Sequence, residues 1–439
     1  MNLRKNILEH IVLPIGDFIL GQSFIKNLQN QRHLIKLSES DLFRLQNKRL
    51  DDILRLALSQ SKYYKNLNIK LSENTLFDLK KFPILTKKLL DINNLDLLTT
   101  NKQKLLRQVS SGSSGIQSVV FWTKEEQSYH RATQLLWWEW AGYKLGMPLV
   151  QTGITPKRGL IKSIKDTLLN TYYFPAFVPD KKEFLKALVW AASKRNTFLG
   201  GYASSLFVLS KIARELDSKV KFSSAVSWGD KLFDHFKSSI NQTFGVNVHE
   251  TYGTAEGMMI AAQKDLPYMY IMTPNVYVEV LDDEGNEVPD GVLGHVVVTS
   301  LVAKGMPLIR YKIGDLAIKL PRNEYPDKRE LNLPLLKQVI GRDTDLVKTR
   351  SGKYLVVHTF TGIFEHYAEI EQFCVIQENL DSITIEYIPR DEFKFETLDK
   401  IKIQIQGYLK DYSFQIQFKK VPFIAPSPSG KPQIIISKL

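Results

Sequence analysis

Apolar residues follow three successive rhythms along the chain. In the first 105 residues the rhythm is mostly helical: Leu50, Ile53, Leu54, Ala57 and Leu58 keep the i, i+3, i+4, i+7, i+8 spacing of one helix face. The polar run Ser61–Asn66 predicts the end of that helix, and Pro83 opens a further segment from Ile84 to Leu90. Earlier, the apolar stretch from Ile7 to Phe24 is interrupted by Glu9, His10, Pro14 and Asp17. Those interruptions suit an amphipathic element, because a spanning helix needs about 20 mostly apolar residues. Its apolar side can pack on the domain or lie on a membrane surface, and packing is the favoured reading.

The middle of the chain alternates strands and helices. Arg107–Val109 and Ser118–Trp122 read as strands around a glycine- and serine-rich turn, and a helix is predicted from Lys124 to about Tyr143. Phe198–Gly200 and Ser224–Ser227 resemble strand ends, each followed by a helical stretch, which argues for an α/β sheet. From Val276 the rhythm becomes antiparallel: strand Val276–Leu281, turn Asp282–Asn286, strand His295–Thr299. The polar, proline-bearing run Pro321–Pro334 predicts an exposed loop near a domain junction. The last hundred residues predict a small α+β unit, with strands at Phe373–Gln377, Ile383–Ile388 and Phe414–Phe418. Leu398, Ile401, Ile405, Tyr408 and Leu409 form a helix face, against which the alternation Ile401, Ile403, Ile405 speaks for a strand.

Composition narrows the class. The 439 residues are 44% hydrophobic and 24% charged, which is globular and neither disordered nor fibrous. Two or three domains are expected from that length. Formal charge is +13, and residues 1–105 carry 18 Lys and Arg against 10 Asp and Glu, a net +8. That balance favours anionic partners without choosing among nucleotides, acidic substrates, nucleic acid and membranes. Nucleic acid is set aside, since no recognition motif, zinc spacing or basic–aromatic repeat accompanies the charge. The single cysteine, Cys374, excludes a disulfide framework, and its apolar setting reads as a small buried hydrophobe.

Five short elements carry candidate chemistry. Ser110, Ser111, Gly112, Ser113, Ser114 and Gly115 can form an anion-binding nest or an ordinary hairpin turn. No Gly-Lys-Ser/Thr follows, so this is not a P-loop. In His249–Gly257 an aromatic can stack on a base, a Thr hydroxyl can meet phosphate, and a carboxylate can hold Mg²⁺, or the whole can be a loop with an incidental Glu. In Arg310–Leu316 an Asp after a glycine can accept from two ribose hydroxyls or be a solvated turn residue. Gly341–Lys348 and Ser429-Gly430-Lys431 complete the series, the last a terminal Lys that a glycine can bring near phosphate.

These elements, in this order, resemble the adenylate-forming superfamily, and within it the phenylacetate–coenzyme A ligase family. Ser110–Gly115 followed by Ser118-Val119-Val120, and Trp228–Leu232 through Phe244-Gly245 to Tyr252-Gly253, carry the likeness. Ile370–Gln377 and the N-terminal segment look similar to members of capsular-polysaccharide biosynthesis. The resemblance implies an α/β fold: a large N-terminal adenylate-forming domain of α/β sheets plus a β region, with a small C-terminal α+β lid domain. Its parts would be a helical segment 1–105, a core 106–341 and a mobile domain 342–439.

It further implies ATP-dependent activation of a carboxylic acid as acyl-AMP, then transfer to coenzyme A. Transfer to an amine such as an amino sugar, or to a carrier-protein thiol, is the alternative; a non-catalytic scaffold is remote. Ser110–Gly115 would cradle the β and γ phosphates, Tyr252 would stack on adenine, and Thr254 would contact the α phosphate. Glu256 would bind Mg²⁺, Asp315 would hold the ribose helped by Arg342, and Lys431 would bridge the carboxylate and ATP oxygens. Trp228, Gly229, Asp230, Thr251, Gly253 and Lys348 would complete the nucleotide site. The sequence departs from the family at Ile116-Gln117, where many members have a Lys, at Asp230 for Glu, at Thr344 in the hinge position, and at Lys312 for Arg.

For the acyl pocket, Tyr202, Trp228 and Met258 are candidates by motif proximity and suit an aryl or medium acyl carboxylate. Trp137 and Trp140 share a helix face that reads as core, and Trp138 points elsewhere; His130 and Arg131 read as a solvated face. The expected setting is cytoplasmic or at the inner membrane surface.

Overall fold

In a computed structural model of the chain, the structure describes residues 3–109, 118–153, 159–176, 181–342, 346–351, 353–364, 366–367, 369–425 and 433–439. Two compact units divide them: residues 3–109, 118–313 and 318–338 in one, and 314–317 with 339–439 in the other. The split after Gln338 falls ahead of Arg342.

The first unit begins with helices. Helix α1 (Leu3–Ile7) runs through a π-helical turn (Leu8–Val12) into α2 (Leu13–Leu20), which Gly21 ends in the left-handed conformation. Helices α3 (Phe24–Leu34) and α4 (Glu39–Gln60) follow. The stripe predicted on α4 is the buried one: Leu50, Ile53, Leu54 and Ala57 are at most 2% exposed. After Gln60 the chain does not simply end in polar residues. A short helix α5 (Lys62–Lys65) turns Tyr64 into the core, where its hydroxyl donates to the Pro307 carbonyl. Helices α6 (Thr75–Leu79) and α7 (Lys87–Ile92) lead to a hairpin, β1 (Leu106–Val109) with β2 (Val119–Trp122). Helix α8 (Lys124–Trp140) then starts on a capping box between Thr123 and Glu126.

An eleven-stranded sheet dominates this unit. Its strands come in chain order as β3 (Leu149–Gly153), β4 (Thr171–Pro175), β5 (Phe198–Tyr202), β6 (Ser224–Trp228) and β7 (Val248–Gly253). Then come β8 (Met259–Gln263), β9 (Met269–Ile271), β10 (Val276–Leu281), β11 (Leu293–Ser300), β12 (Tyr311–Lys319) and β13 (Leu335–Arg342). In space the order is β10-β11-β12-β13-β9-β8-β7-β6-β5-β3-β4. Strands β3 to β7 are parallel, with helices α9 (Leu160–Leu168), α10 (Lys181–Ala192), α11 (Ala203–Glu215) and α12 (Asp234–Phe244) in the connections. Strand β7 pairs parallel with β6 and antiparallel with β8. The α/β part and the β region are therefore one continuous sheet that changes character at β7.

One expected loop is partly core. Between Pro321 and Pro334, Leu331 and Leu333 are 6% and 0% exposed, because their apolar side chains fill the space beneath the polar run.

The second unit holds the hairpin β14 (Leu346–Lys348) with β15 (Tyr354–Val356), helix α13 (Val357–Phe364), and a sheet of order β18-β17-β16-β19. Those strands are β16 (Ile370–Asn379), β17 (Ser382–Pro389), β18 (Gln415–Lys420) and β19 (Ile435–Ser437). Helix α14 (Glu396–Leu409) buries Ile401 and Ile405 completely and leaves Ile403 exposed, which settles that segment as a helix. Cys374 is buried, and burial pushes its thiol up to about 11.

Candidate functional site

In an open α/β sheet, ligands bind beyond the carboxyl ends of the parallel strands. Here those ends are Gly153, Pro175, Tyr202, Trp228 and Gly253. Three of the five belong to the residues singled out from sequence. Three hydrogen bonds to one carboxylate hold this edge in place. Asp230, two residues beyond β6, accepts from the backbone N–H groups of Ala203 at 2.6 Å and Ser204 at 3.1 Å, and from the Ser204 hydroxyl. It thus caps the N-terminus of α11, where the helix dipole favours a negative charge. Gly229 between Trp228 and Asp230 has φ +82°, and a Cβ there would run into the Tyr202 ring. Burial, with the Asp230 charge second, pushes the Tyr202 phenol up to about 12, so it stays protonated.

Trp228 is backed by an aromatic partner. Its ring stacks on Trp138 at 5.5 Å between centroids, 18° from parallel. Trp137 is core and 1% exposed, and Trp140 meets Tyr270 edge-on. The tryptophan set aside by helix-face reasoning is the one that reaches the pocket candidate.

At the end of β7, the Thr251 hydroxyl donates to the Ser227 carbonyl and ties β7 to β6. Tyr252 is buried, and Gly253 begins a tight turn in which Thr254 N donates to the Met258 carbonyl at 3.0 Å. Thr254 Oγ1 is buried with no hydrogen-bond partner among the described residues. Such a hydroxyl in a native structure needs an explanation, and a ligand oxygen supplies one.

Two residues from this hydroxyl, Glu256 is buried at 7% exposure. Its carboxylate Oε1 accepts from the Tyr311 hydroxyl at 3.2 Å, and its carbonyl accepts from the Trp122 indole N–H at 3.0 Å. Gly257 has φ +93°, and a Cβ there would lie 2.6 Å from both the Trp122 ring and His130 Cε1. Met258 is 2% exposed. His130 does not lie on a solvated face. It is buried edge-on to Trp122, both ring nitrogens lack partners among the described residues, and burial lowers it to about 4. The apolar positions around it on α8 could have revealed this, but a helix periodicity gives no depth.

Among the described residues no group of three or more His, Cys, Asp or Glu is gathered as a metal site. A single buried carboxylate beside an unsatisfied hydroxyl still suits Mg²⁺. That ion keeps several waters and takes one or two carboxylates plus substrate phosphates.

In the other unit, Asp315 is half-buried on β12, just after Gly314 at φ +87°. Arg342 ends β13 with Nη1 buried and without a partner among the described residues. Lys348 ends β14; its backbone N–H and carbonyl bond to the Gln377 amide while the residue is exposed. Ser110–Gly115, Thr344 and Lys431 lie outside the described residues.

No protein-family profile matches the chain. It is 25% identical to Protein CapK of Staphylococcus aureus over 99% of this chain and 97% of that one. It is 31% identical to phenylacetate-coenzyme A ligase of Pseudomonas putida over 176 residues, 37% of this chain and 36% of that one. Among solved structures, 2-hydroxyisobutyryl-CoA ligase in its postadenylation state is similar, with TM-score 0.71 and 16% identity. That match covers 93% of this chain and 92% of the other. The fold is that of the adenylate-forming ligases.

Proposed function

We propose that this chain, a relative of CapK and of phenylacetate-coenzyme A ligase built on the adenylate-forming ligase fold, activates a carboxylic acid with ATP. The observation that carries this reading is the pair Thr254 and Glu256. A buried hydroxyl with no partner among the described residues stands at the end of the parallel strand β7, two residues from a buried glutamate whose carboxylate accepts from Tyr311 and whose backbone carbonyl accepts from Trp122.

In the proposed reaction a carboxylate oxygen attacks the α phosphorus of ATP. The new O–P bond forms as the bond to the β-phosphate oxygen breaks, and pyrophosphate leaves with its electron pair. No general base is required, because the acid is already ionised at neutral pH. Thr254 Oγ1 donates to an α-phosphate oxygen, where negative charge develops. Glu256 is the residue that would hold Mg²⁺, whose positive charge stabilises the phosphate oxygens. Tyr311 keeps that carboxylate oriented. Tyr252 provides the adenine platform. Asp315, Arg342, Lys348, Lys431 and the Ser110–Gly115 loop receive their nucleotide roles from the resemblance.

Tyr202, Trp228 and Met258 line the proposed acyl pocket, with the Trp138–Trp228 stack as its apolar wall, which suits an aryl or medium acyl group. The acyl group then passes to coenzyme A. The alternative acceptor is an amine, such as an amino sugar, or a carrier-protein thiol in polysaccharide or secondary-metabolite biosynthesis. A hydroxylamine-trapping screen of carboxylic acids with ATP and Mg²⁺ tests the activation. At least one acid is expected to give its hydroxamate, and acceptor assays on that acid then separate thiol from amine. A screen in which no acid yields a hydroxamate above the acid-free control would refute the proposal.

A further inference from the structure

The segment Leu3–Leu20 is fixed to the first unit by polar bonds on one side. Arg4 Nη2 donates to the carbonyls of Thr167 at 3.3 Å and Leu168 at 3.1 Å, at the end of α9. The Glu9 carboxylate, 6% exposed, pairs with the Arg32 guanidinium, which also grips Glu139 on α8. Asp17 Oδ2 accepts from Ile25 N at 2.9 Å. Leu8 is buried beside this network, with Val12 and Leu13 packed against the core.

The opposite side of the same segment is apolar and open. Ile7, Ile11, Ile15 and Phe18 recur at helical spacing, joined by Ile19 and Leu20. Their exposures run from 41% at Ile7 to 88% at Phe18. Single exposed apolar residues are ordinary, but five at helical spacing on one segment, with Leu20 at its end, mark an interaction surface. The only two carboxylates among residues 1–38, Glu9 and Asp17, are both engaged on the inward side. The outer face therefore carries no acid; Arg4 and Lys5 are engaged on the inward side, and the exposed Lys26 and Lys36 follow the segment within the net +8 of residues 1–105.

We infer that this face docks on an anionic lipid bilayer, lying in the interface with its axis along the surface. No single helix among the described residues is long and apolar enough to cross a membrane. The 18 residues from Leu3 to Leu20 would lie flat over roughly 27 Å. Burying the isoleucines and Phe18 among acyl chains drives the association, and the basic, acid-free surroundings select negatively charged headgroups. The inward bonds matter here, because a face held rigidly in its exposed orientation loses little freedom on docking. The inference does not depend on the adenylation reading.

Co-sedimentation of the full chain with vesicles tests it, using phosphatidylcholine vesicles with and without phosphatidylglycerol. Binding is expected only with the anionic lipid, and weaker at high salt. Phe18→Glu and the double variant Ile11→Glu, Ile15→Glu should each lower the bound fraction at least about tenfold, while their thermal unfolding stays that of the parent chain. Phe43→Glu, at a comparably exposed position on α4, should bind as the parent does. In Phe18→Trp, brominated acyl chains should quench the new indole. Absence of sedimentation with anionic vesicles, or unchanged sedimentation of the Glu variants, would overturn the inference. So would a dimer in light scattering that Phe18→Glu splits while vesicles bind neither form, since the face would then serve a second copy.

Discussion

The Tyr311 hydroxyl donates to Oε1 of Glu256 at 3.2 Å, joining the first residue of β12 to the turn between β7 and β8. Fifty-five residues separate the two, and both are buried. The bond leaves the remaining lone pairs of the carboxylate for another partner. Its removal in Tyr311→Phe should cost about 1 kcal/mol of folding stability. If Glu256 holds Mg²⁺, the variant should also need more Mg²⁺ for half-maximal adenylation, by roughly fivefold. A Mg²⁺ titration of initial rate measures this; an unchanged Mg²⁺ requirement would detach Tyr311 from the metal-holding role.

Gly257 cannot be replaced cheaply. Alanine there combines a positive φ with a Cβ 2.6 Å from the Trp122 and His130 rings. Gly257→Ala should lose about 2–4 kcal/mol in denaturant unfolding and most of its activity. The Trp122 ring would have to move, and with it the indole N–H that holds the Glu256 carbonyl.

His130 makes stability depend on pH. Its folded value of about 4 lies below the ordinary 6.5, so the unfolded chain binds the extra proton between those values. Stability is therefore full above pH 6.5 and falls as pH drops toward 4, by roughly 3 kcal/mol in total. His130→Gln should flatten that part of the profile in urea unfolding measured from acid to neutral pH. A profile as steep as the parent's would assign the acid sensitivity to other groups.

Much of the architecture was legible because it is local. The α4 stripe, the Val276–Leu281 and His295–Thr299 pair, and the strands of the second unit all follow from spacing of two or of three to four residues. What was not legible depends on long-range placement. Strands β3 and β4 were missed, and the fusion of the two β regions at β7 needed the pairing itself. At the site, the motif residues Trp228, Thr254 and Glu256 could be named from order alone. Their supports could not: Asp230 caps a helix 27 residues earlier in the chain, and Trp122 and Tyr311 reach Glu256 from 134 and 55 residues away. Periodicity placed Trp138 and His130 on a helix without showing what each face would meet.

The buried Arg310 offers a test of the scaffold beside the site. Its Nε and Nη2 donate to the two Glu279 oxygens at 3.2 and 3.0 Å, and Nη1 donates to the Phe82 carbonyl at 3.1 Å. Arg310→Ala leaves Glu279 buried and unpaired and should cost about 3–5 kcal/mol. Glu279→Gln keeps an acceptor for the guanidinium and should cost less. Equilibrium unfolding of the two variants measures the order, and a larger loss in Glu279→Gln would contradict it.

Exchange of labelled pyrophosphate into ATP, measured across a panel of carboxylic acids with Mg²⁺, addresses the activation claim most directly. The parent chain should give exchange that depends on at least one acid. Thr254→Val, which removes the hydroxyl that has no partner among the described residues and keeps the side-chain shape, should reduce that exchange by about a hundredfold while the chain stays folded. Exchange at the acid-free background for every acid would contradict the account.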